Sequence, residues 1–253
     1  MTTVLTVSGL GKSWGGIRAV DDVSFAVAPA EMLALIGPNG AGKSTTFNMI
    51  GGQLRPNTGS ITLGDRPITG TAPRGLCRLG VGRTFQITET FASMTVRENV
   101  QTALLAHRRQ SWRFWRDIAG QAAGDADRVL ALVGLDAQAS DPAGILAYGD
   151  LKRLELAMAL AGEPRLLLMD EPTAGMAQAE RTSLMALVRR LATEQGLAVL
   201  FTEHDMDIVF GIADRILVLD RGRLVAEGDA AAIRANKLVQ EIYLGGGRVM
   251  APS

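Results

Sequence analysis

Cysteine is nearly absent from the sequence, since Cys77 is the only one among 253 residues. No disulfide can therefore form within the chain, and a lone thiol is more typical of a reducing compartment. Apolar residues make up 47% of the sequence, enough to bury a core without help from disulfides or metals. A chain of this length can fold as one large or two modest packed units.

Long apolar runs are missing as well. No stretch approaches the roughly 20 residues of a membrane-spanning helix. The start of the chain lacks the charged segment and the long apolar segment of a secretory signal. We therefore expect a soluble, cytoplasmic chain unless a partner holds it at a membrane.

The sequence has no excess charge of either sign, because 26 basic residues balance 26 acidic ones. A nucleic-acid-binding domain usually carries a basic excess, so this class of function is disfavoured, although a local basic patch is compatible with the balance. No internal repeat or low-complexity segment is visible.

Short β-like runs alternate with helical patterns, which is typical of an α/β layered fold. The runs 4–7, 23–27, 31–36, 60–63, 165–169 and 197–202 predict strands, 56–59 predicts a turn, and 43–50, 150–161 and 179–194 predict helices. From about 91 to 134 the pattern is helical, and Thr95 and Glu98 occupy the positions of a capping box. The alternation predicts a parallel-sheet core interrupted by a helical insertion near 88–149, followed by a hairpin around 220–223.

A glycine-rich loop between a predicted strand and a predicted helix fits the pattern G-x-x-x-x-G-K-[ST]. The loop and the residue after it are Gly37, Pro38, Asn39, Gly40, Ala41, Gly42, Lys43, Ser44 and Thr45. Glycines allow successive backbone N–H groups to point at phosphate oxygens, and the following helix adds its dipole. Lys43 would contact the β and γ phosphates, and Ser44 would offer a hydroxyl to Mg²⁺. A chance match arises about once in a hundred such chains, and the flanking elements favour nucleotide binding.

The apolar run 166–169 ends in two carboxylates, Asp170 and Glu171. We expect this strand to lie beside the strand that leads into the glycine loop, so that Asp170 can reach Mg²⁺. Glu171 would then orient or deprotonate the attacking water. An ordinary strand end followed by acidic loop residues is the alternative, but the glycine loop upstream favours the catalytic interpretation.

The sequence has two histidines. His204 follows a predicted strand, at the end of the sheet where functional groups gather in α/β folds. It could hydrogen-bond a γ-phosphate, but a helix-capping or exposed histidine would fit the same spacing. We expect His107, in a basic helical stretch, to be a solvated side chain.

Together these residues resemble the nucleotide-binding subunits of ABC transporters, over essentially the whole chain. The matching motifs are, in order, the loop 37–45, a Q-loop at 83–86, a signature at 146–150, the acidic strand 166–171 and His204. The resemblance implies an α/β P-loop ABC-ATPase fold, with a RecA-like parallel-sheet core, an antiparallel β subdomain and a helical insertion. It implies a single domain, 1–253, whose parts are a core formed by 1–88 and 150–225, a helical signature subdomain at 89–149 and a C-terminal extension at 226–253.

The resemblance also implies ATP as the bound nucleotide and Mg²⁺ as the metal. Catalytic roles fall on Gln86, Glu171 and His204, and metal ligation falls on Ser44, Gln86 and Asp170. Trp14 matches the aromatic residue that stacks on adenine, and a core or hairpin tryptophan is the alternative. Ala147, Tyr148 and Gly149 of the signature would contact the nucleotide of an opposite subunit.

Finer details resemble the branch that serves hydrophobic amino-acid uptake, in particular the longer of its two ATPases. They are the segments 84–86, 91–100, 203–206 and 243–245. Importers of urea or short amides share much of this pattern. A non-transport ABC ATPase acting in translation or DNA repair usually shows two cassettes, long coiled coils or zinc modules, and none is visible here. A P-loop kinase would leave the Q-loop, the signature and His204 unexplained.

The resemblance implies a peripheral location on the cytoplasmic face of the cell membrane. The implied partners are transmembrane permease subunits, a second ATP-binding subunit and, indirectly, a periplasmic or surface substrate-binding protein. A heterodimer is favoured over a homodimer, and nucleic acid is not expected.

Two motifs depart from the family pattern. The signature has Ala147 where the family usually has serine and Asp150 where it usually has glutamine, and the segment 174–177 ends in alanine instead of Asn or Asp. We expect the ATP site that this signature completes to be weakened. The stretch 107–116 mixes cations and aromatics, which would suit the transmembrane partner or lipid headgroups; a solvated helix and a nucleic-acid surface are alternatives.

Overall fold

The computed structural model describes residues 3–84, 90–107 and 118–244. Within those ranges the strands are β1 Leu5–Trp14, β2 Ile17–Val27, β3 Met32–Ile36, β4 Thr58–Leu63, β5 Arg66–Pro67, β6 Val81–Thr84, β7 Leu166–Asp170, β8 Ala198–Thr202, β9 Arg215–Asp220 and β10 Arg223–Gly228. The helices are α1 Lys43–Ile50, α2 Pro73–Arg78, α3 Val96–His107, α4 Ile118–Val133, α5 Tyr148–Leu160, α6 Gln178–Gln195, α7 Met206–Ile212, α8 Ala230–Ala235 and α9 Lys237–Leu244.

The central sheet is six-stranded, in the order β10-β9-β3-β8-β7-β6. All its strands are parallel except β10, which pairs antiparallel with β9. Its inner strands are apolar on both faces, as expected for a parallel sheet covered on both sides. In β3, for example, Met32, Ala34 and Ile36 enter one hydrophobic cluster, whereas Leu33 and Leu35 enter the other.

A second, antiparallel sheet has the order β2-β1-β4-β5. Its buried side chains and those of α1 join one face of the central sheet in a single cluster that includes the fully buried Phe47. Helices α3 to α9 contribute to the cluster on the opposite face. The predicted α/β architecture, with a parallel core, an antiparallel sheet and a helical insertion, is therefore confirmed.

The predicted capping box lies at the start of α3. The backbone N–H of Thr95 donates to Oε2 of Glu98 at 2.7 Å, and the backbone N–H of Glu98 donates to Oγ1 of Thr95 at 3.2 Å. This reciprocal pair satisfies N–H groups that a helix start otherwise leaves without acceptors. The prediction is confirmed, and the helix begins at the next residue.

The opening strands are longer than predicted. The run 4–7 overlaps the start of β1 and the run 23–27 lies within β2, and the two strands pair antiparallel as far as Trp14 and Ile17. Register shifts interrupt β1 after Val7, where glycines break the alternating pattern on which the prediction relied. The turn predicted at 56–59 is also shorter, because β4 already begins at Thr58.

The prediction that the acidic strand lies beside the strand leading into the glycine loop is wrong. The acidic strand β7 does not lie beside β3, because β8 pairs with both of them and separates them. Strand order is decided by packing of distant segments, which a local pattern does not report. The parallel arrangement nevertheless brings the carboxyl ends of all three strands to one edge of the sheet.

His107 is not the solvated side chain that the sequence predicted. It is half-buried at the end of α3, and its Nδ1 lies 3.8 Å from Sγ of Cys77 in α2. The imidazole approaches the backbone of Gly162, where a Cβ atom would come within 2.8 Å of it. Burial raises the pKa of the Cys77 thiol, and the positive charge of Arg78 acts in the opposite direction.

The described helices include none that is both long enough and apolar enough to cross a bilayer.

Phe47 should be a principal contributor to stability. We expect Phe47→Ala to lower the free energy of unfolding by about 3–5 kcal/mol, because it removes a fully buried ring between two sheets. Phe91→Ala is the matched control, since that ring is 48% exposed and its loss should cost less than about 1 kcal/mol. Urea unfolding of both variants measures the difference, and equal losses would contradict the packing described here.

Candidate functional site

The glycine loop joins the carboxyl end of β3 to α1, as predicted. Gly42 is the N-cap of α1 and has a φ of 102°, a conformation that L side chains rarely adopt. A Cβ atom there would lie 2.5 Å from the carbonyl oxygen of Ala19, in β2. The antiparallel sheet thus contacts the loop closely, and only glycine fits between them. Since Gly42 offers no side-chain cap, the first N–H groups of α1 are left for a ligand at the helix N-terminus.

Lys43 is the first residue of α1 and lies buried beneath the loop. Its Nζ donates to the carbonyl oxygens of Gly37 at 2.7 Å and Pro38 at 3.1 Å. Burial lowers the pKa of Lys43, while the negative charges of Glu171 and Asp170 raise it. The ammonium group is therefore close enough to both carboxylates of the acidic strand to interact with them electrostatically. The loop and the acidic strand form one site.

Asp170 ends β7 and lies opposite Thr202 of β8 in the parallel register. Its Oδ1 accepts a hydrogen bond of 2.6 Å from Oγ1 of Thr202. Strand β6, which carries Arg83 and Thr84 of the predicted Q-loop, pairs with β7 on its other side. Of the residues predicted to hold the metal, Asp170 thus lies at a strand end and Ser44 in the first turn of α1, whereas Gln86 lies outside the described residues.

Glu171 and His204 form a contact between the loops that follow β7 and β8. Oε1 of Glu171 lies 2.7 Å from Nε2 of His204, which is a hydrogen-bond distance. Glu171 has a positive φ of 49°, so its backbone adopts a conformation uncommon for a residue with a side chain. The helix-capping alternative for His204 is wrong, because Asp205 caps α7.

Trp14 lies at the end of β1 in the turn region of the β1–β2 hairpin. Its side chain is 47% exposed, so the alternative of a core tryptophan is wrong. Nζ of Lys12 lies 5.5 Å from the centre of the ring. The ring is accessible to a planar ligand, and stacking on adenine stays a prediction.

The signature residues do not join the loop of their own chain. Ala147 is the exposed N-cap of α5, Tyr148 donates its hydroxyl to the carbonyl oxygen of Ala174 at 3.1 Å, and Gly149 is buried beside Glu180. Ala147 and Gly149 border a shallow cavity of about 250 Å³ between α5 and α6. Its lining residues are Ala147, Gly149, Asp150, Arg153, Met176, Ala179, Glu180 and Ser183.

Some predicted residues lie outside the described ranges. Gln86 falls in the gap 85–89, and most of the basic-aromatic stretch falls in the gap 108–117. Their predicted roles in metal sensing and in contact with a membrane partner stay predictions.

Three residues contact the site without having been predicted in it. Thr202 and Glu203 hydrogen-bond the segment after β7, and Tyr243 of α9 lies near the backbone of Gly37. Burial raises the pKa of Tyr243 to about 12, and the nearby backbone of Gly37 acts in the opposite direction. The sequence offers one weak signal that Thr202 belongs to the site, which is that a polar residue ends an apolar strand. No local pattern indicates that a C-terminal tyrosine reaches the loop.

The oxygen donors near the loop suit Mg²⁺. Asp170 offers a carboxylate at the sheet edge and Ser44 an exposed hydroxyl in the first turn of α1. Within the described parts of the chain, no group of three or more His, Cys, Asp or Glu residues could cage a metal. Mg²⁺ usually binds through one or two protein oxygens together with substrate phosphates, so this sparse donor set fits it.

Comparisons with known proteins agree with this geometry. Residues 20–174 match the family model described as ABC transporter. Residues 223–249 match the model described as branched-chain amino acid ATP-binding cassette transporter. The first match spans the glycine loop and the acidic strand, and the second begins with β10.

Curated relatives match almost the whole chain. The high-affinity branched-chain amino acid transport ATP-binding protein LivG of Salmonella typhimurium is 39% identical over 250 residues, which are 96% of this chain and 98% of that protein. BraF of Pseudomonas aeruginosa, described in the same words, is 39% identical over 251 residues, 96% of this chain and 98% of its own.

Solved structures share the fold. A nucleotide-free ATP-binding cassette from an ABC transporter aligns with a TM-score of 0.84 and 30% identity, over 95% of this chain and 98% of that chain. An ATP-binding cassette of an ABC transporter in its ADP conformation aligns with a TM-score of 0.86 and 30% identity, over 97% and 100%.

Two glycines of the loop allow its packing to be tested. Gly40→Ala should cost about 1–3 kcal/mol from the positive φ alone, because nothing lies within 4 Å of the added Cβ. Gly42→Ala should cost more, since its Cβ also meets the carbonyl oxygen of Ala19. Urea unfolding without nucleotide compares the two variants. Equal losses would show that the antiparallel sheet does not constrain the loop.

Proposed function

Because this chain belongs to the ABC transporter family, we propose that it is the ATP-hydrolysing subunit of an importer for branched-chain or other hydrophobic amino acids. The observation that carries the ATPase assignment is the meeting of Lys43, Asp170, Glu171 and His204, from three separate segments, at one edge of the sheet. A positive charge, two carboxylates and an imidazole around a phosphate-binding loop are the groups that hydrolysis of a phosphoanhydride needs.

ATP would bind with its phosphates on the glycine loop. Backbone N–H groups and the N-terminus of α1 provide fixed partial positive charges for the phosphate oxygens. Lys43 adds a full positive charge, kept buried and oriented by its hydrogen bonds to the loop carbonyls. Trp14, exposed on the hairpin that packs against the loop, would stack on the adenine ring.

Mg²⁺ would be held by Ser44 and Asp170, with Gln86 added by resemblance. When bound, the metal neutralises phosphate charge and helps to fix the γ-phosphate for in-line attack. Oγ1 of Thr202 donates to Oδ1 of Asp170 and so helps to fix the direction of the carboxylate that would hold the metal.

Glu171 would orient and deprotonate the attacking water. The water oxygen attacks the γ-phosphorus, the bond from that phosphorus to the bridging oxygen breaks, and ADP leaves. His204 would hold Glu171 by the 2.7 Å contact and hydrogen-bond the γ-phosphate. Lys43 would stabilise the negative charge on the transferred group.

A second ATP-binding subunit would complete the site. Ala147 and Gly149 of the signature line a cavity that includes no residue of the loop 37–45, and Tyr148 hydrogen-bonds Ala174, which supports the use of these residues by an opposite subunit. Two such subunits would enclose two ATP molecules, and closing this sandwich would drive the transmembrane subunits at the cytoplasmic face of the membrane. We favour a heterodimer.

The amino-acid substrate is supported by the match of residues 223–249 and by the names of the relatives. The test is purification of the intact transporter through a tag on this chain, followed by reconstitution with its binding protein. Branched-chain amino acids should raise the ATPase rate. A response to urea or short amides alone would overturn the substrate assignment, and recovery without any membrane subunit would overturn the transport assignment.

The roles of Lys43 and Glu171 predict a separation of binding from hydrolysis. In that purified transporter, Lys43→Ala should weaken ATP binding, because the buried charge on the phosphates is lost. Glu171→Gln should bind ATP normally and lower kcat by about 100-fold or more, because the amide cannot accept the proton of water. Equilibrium binding and phosphate release measure the two effects. A Glu171→Gln variant with normal turnover would contradict the assignment of the general base.

Ala147→Ser should speed turnover at the site that this signature completes. The hydroxyl adds a hydrogen bond to a charged phosphate oxygen, of a kind worth about 1.5–3 kcal/mol. It should also cap α5, where Ala147 makes no side-chain cap, and stabilise the chain by about 0.5–2 kcal/mol. Single-turnover rates and unfolding measurements separate these effects. Unchanged turnover would contradict the prediction that Ala147 weakens this signature.

A further inference from the structure

We propose that Thr202 and Glu203, the consecutive residues where β8 ends, are positioning residues for ATP hydrolysis. Together they fix the segment 170–173 against His204 and so set the direction of the Glu171 carboxylate. The proposal rests on the proposed ATPase function. It gives a role to two buried polar side chains that the loop, the metal and the water do not require.

Thr202 connects both acidic residues of the site. It is only 1% exposed, and its hydroxyl donates to Oδ1 of Asp170 at 2.6 Å while accepting the backbone N–H of Glu171 at 3.0 Å. Its carbonyl oxygen lies 3.2 Å from the same N–H. One hydroxyl therefore orients the proposed metal ligand and the backbone of the proposed base.

Glu203 makes the next connection along the chain. It is 5% exposed, and its Oε1 accepts from the backbone N–H of Thr173 at 2.9 Å and from Oγ1 of Thr173 at 2.6 Å. Its Oε2 accepts from the backbone N–H of His204 at 3.2 Å. A buried carboxylate is costly unless it is fully hydrogen-bonded, so these three bonds hold the turn after Glu171 and the start of the His204 loop in one arrangement.

The geometry of Glu171 explains why such a clamp is needed. Its φ of 49° is a strained conformation that persists only when the surrounding structure enforces it. The hydrogen bonds from Glu171 to Thr202 and from Thr173 to Glu203 enforce it from both sides. Without them the backbone can relax, and the carboxylate loses its 2.7 Å contact with His204.

Thr202→Val is the principal test, made in the purified transporter. Valine keeps the shape and the β-branched side chain but has no hydroxyl. We expect kcat for ATP hydrolysis to fall by about 10- to 100-fold, because small displacements of a reacting group cost that much. ATP affinity without Mg²⁺ should change by less than about twofold, since the loop is untouched. Thr202→Ser, which restores the hydroxyl, should recover most of kcat.

A stability control separates positioning from general destabilisation. Val199→Ala lies on the same strand, opposite Leu167, and removes buried apolar volume from the hydrophobic cluster. It should lower the thermal midpoint at least as much as Thr202→Val and leave kcat near the wild-type value. If kcat follows the thermal midpoint in both variants, the positioning role is wrong.

Glu203→Gln provides an independent test should Thr202→Val fail to fold. The amide has the same shape, but its NH₂ group must face an N–H or O–H donor of Thr173 or His204. We expect kcat to fall by about tenfold or more with ATP affinity retained. Normal kcat in Glu203→Gln and in any folded Thr202→Val overturns the proposal. Failure of the wild-type transporter to hydrolyse ATP would instead overturn the proposed function.

Discussion

The parallel pairing of β7 with β8, which sets Asp170 opposite Thr202, is the constraint on which the rest of the site depends. Because β8 also pairs with β3, the ends of three strands meet at one edge. Each strand end carries different groups. β3 leads into the glycine-rich loop, β7 ends in two carboxylates, and β8 is followed by a histidine. A one-residue slip of β7 would turn the side chain of Asp170 to the other face of the sheet.

The site combines a relaxed part with a strained part. The loop is relaxed because glycine occupies the positions with positive φ, so the cradle exists without ligand contacts to enforce it. Glu171 is strained, and its conformation is imposed by hydrogen bonds from the end of β8. Strain at a reacting residue is a common way to fix a functional side chain. In the proposed function, binding thus depends on local sequence, whereas hydrolysis depends on contacts between segments about thirty residues apart.

The features that the sequence could predict are likewise those that local chemistry determines. The loop, the bounds of α1 and the capping box of Thr95 and Glu98 were predictable because short-range backbone chemistry determines them. The position of β8 between β3 and β7, and the contact of Tyr243 with the loop, were not, because distant segments decide them. In the sequence, Thr202 cannot be told from any other β-branched residue of a strand. Only the fold shows that its hydroxyl lies opposite Asp170.

The proposed function places the binding and the hydrolysis of Mg²⁺–ATP at one edge of the sheet. A crystal structure of the full chain with Mg²⁺ and a non-hydrolysable ATP analogue tests it most directly. We expect the phosphates on the backbone N–H groups of 37–45, the metal on Ser44 and Asp170, and the γ-phosphate beside Glu171 and His204. A nucleotide bound elsewhere, or phosphates on the loop with Asp170 and Glu171 turned away from them, would contradict it.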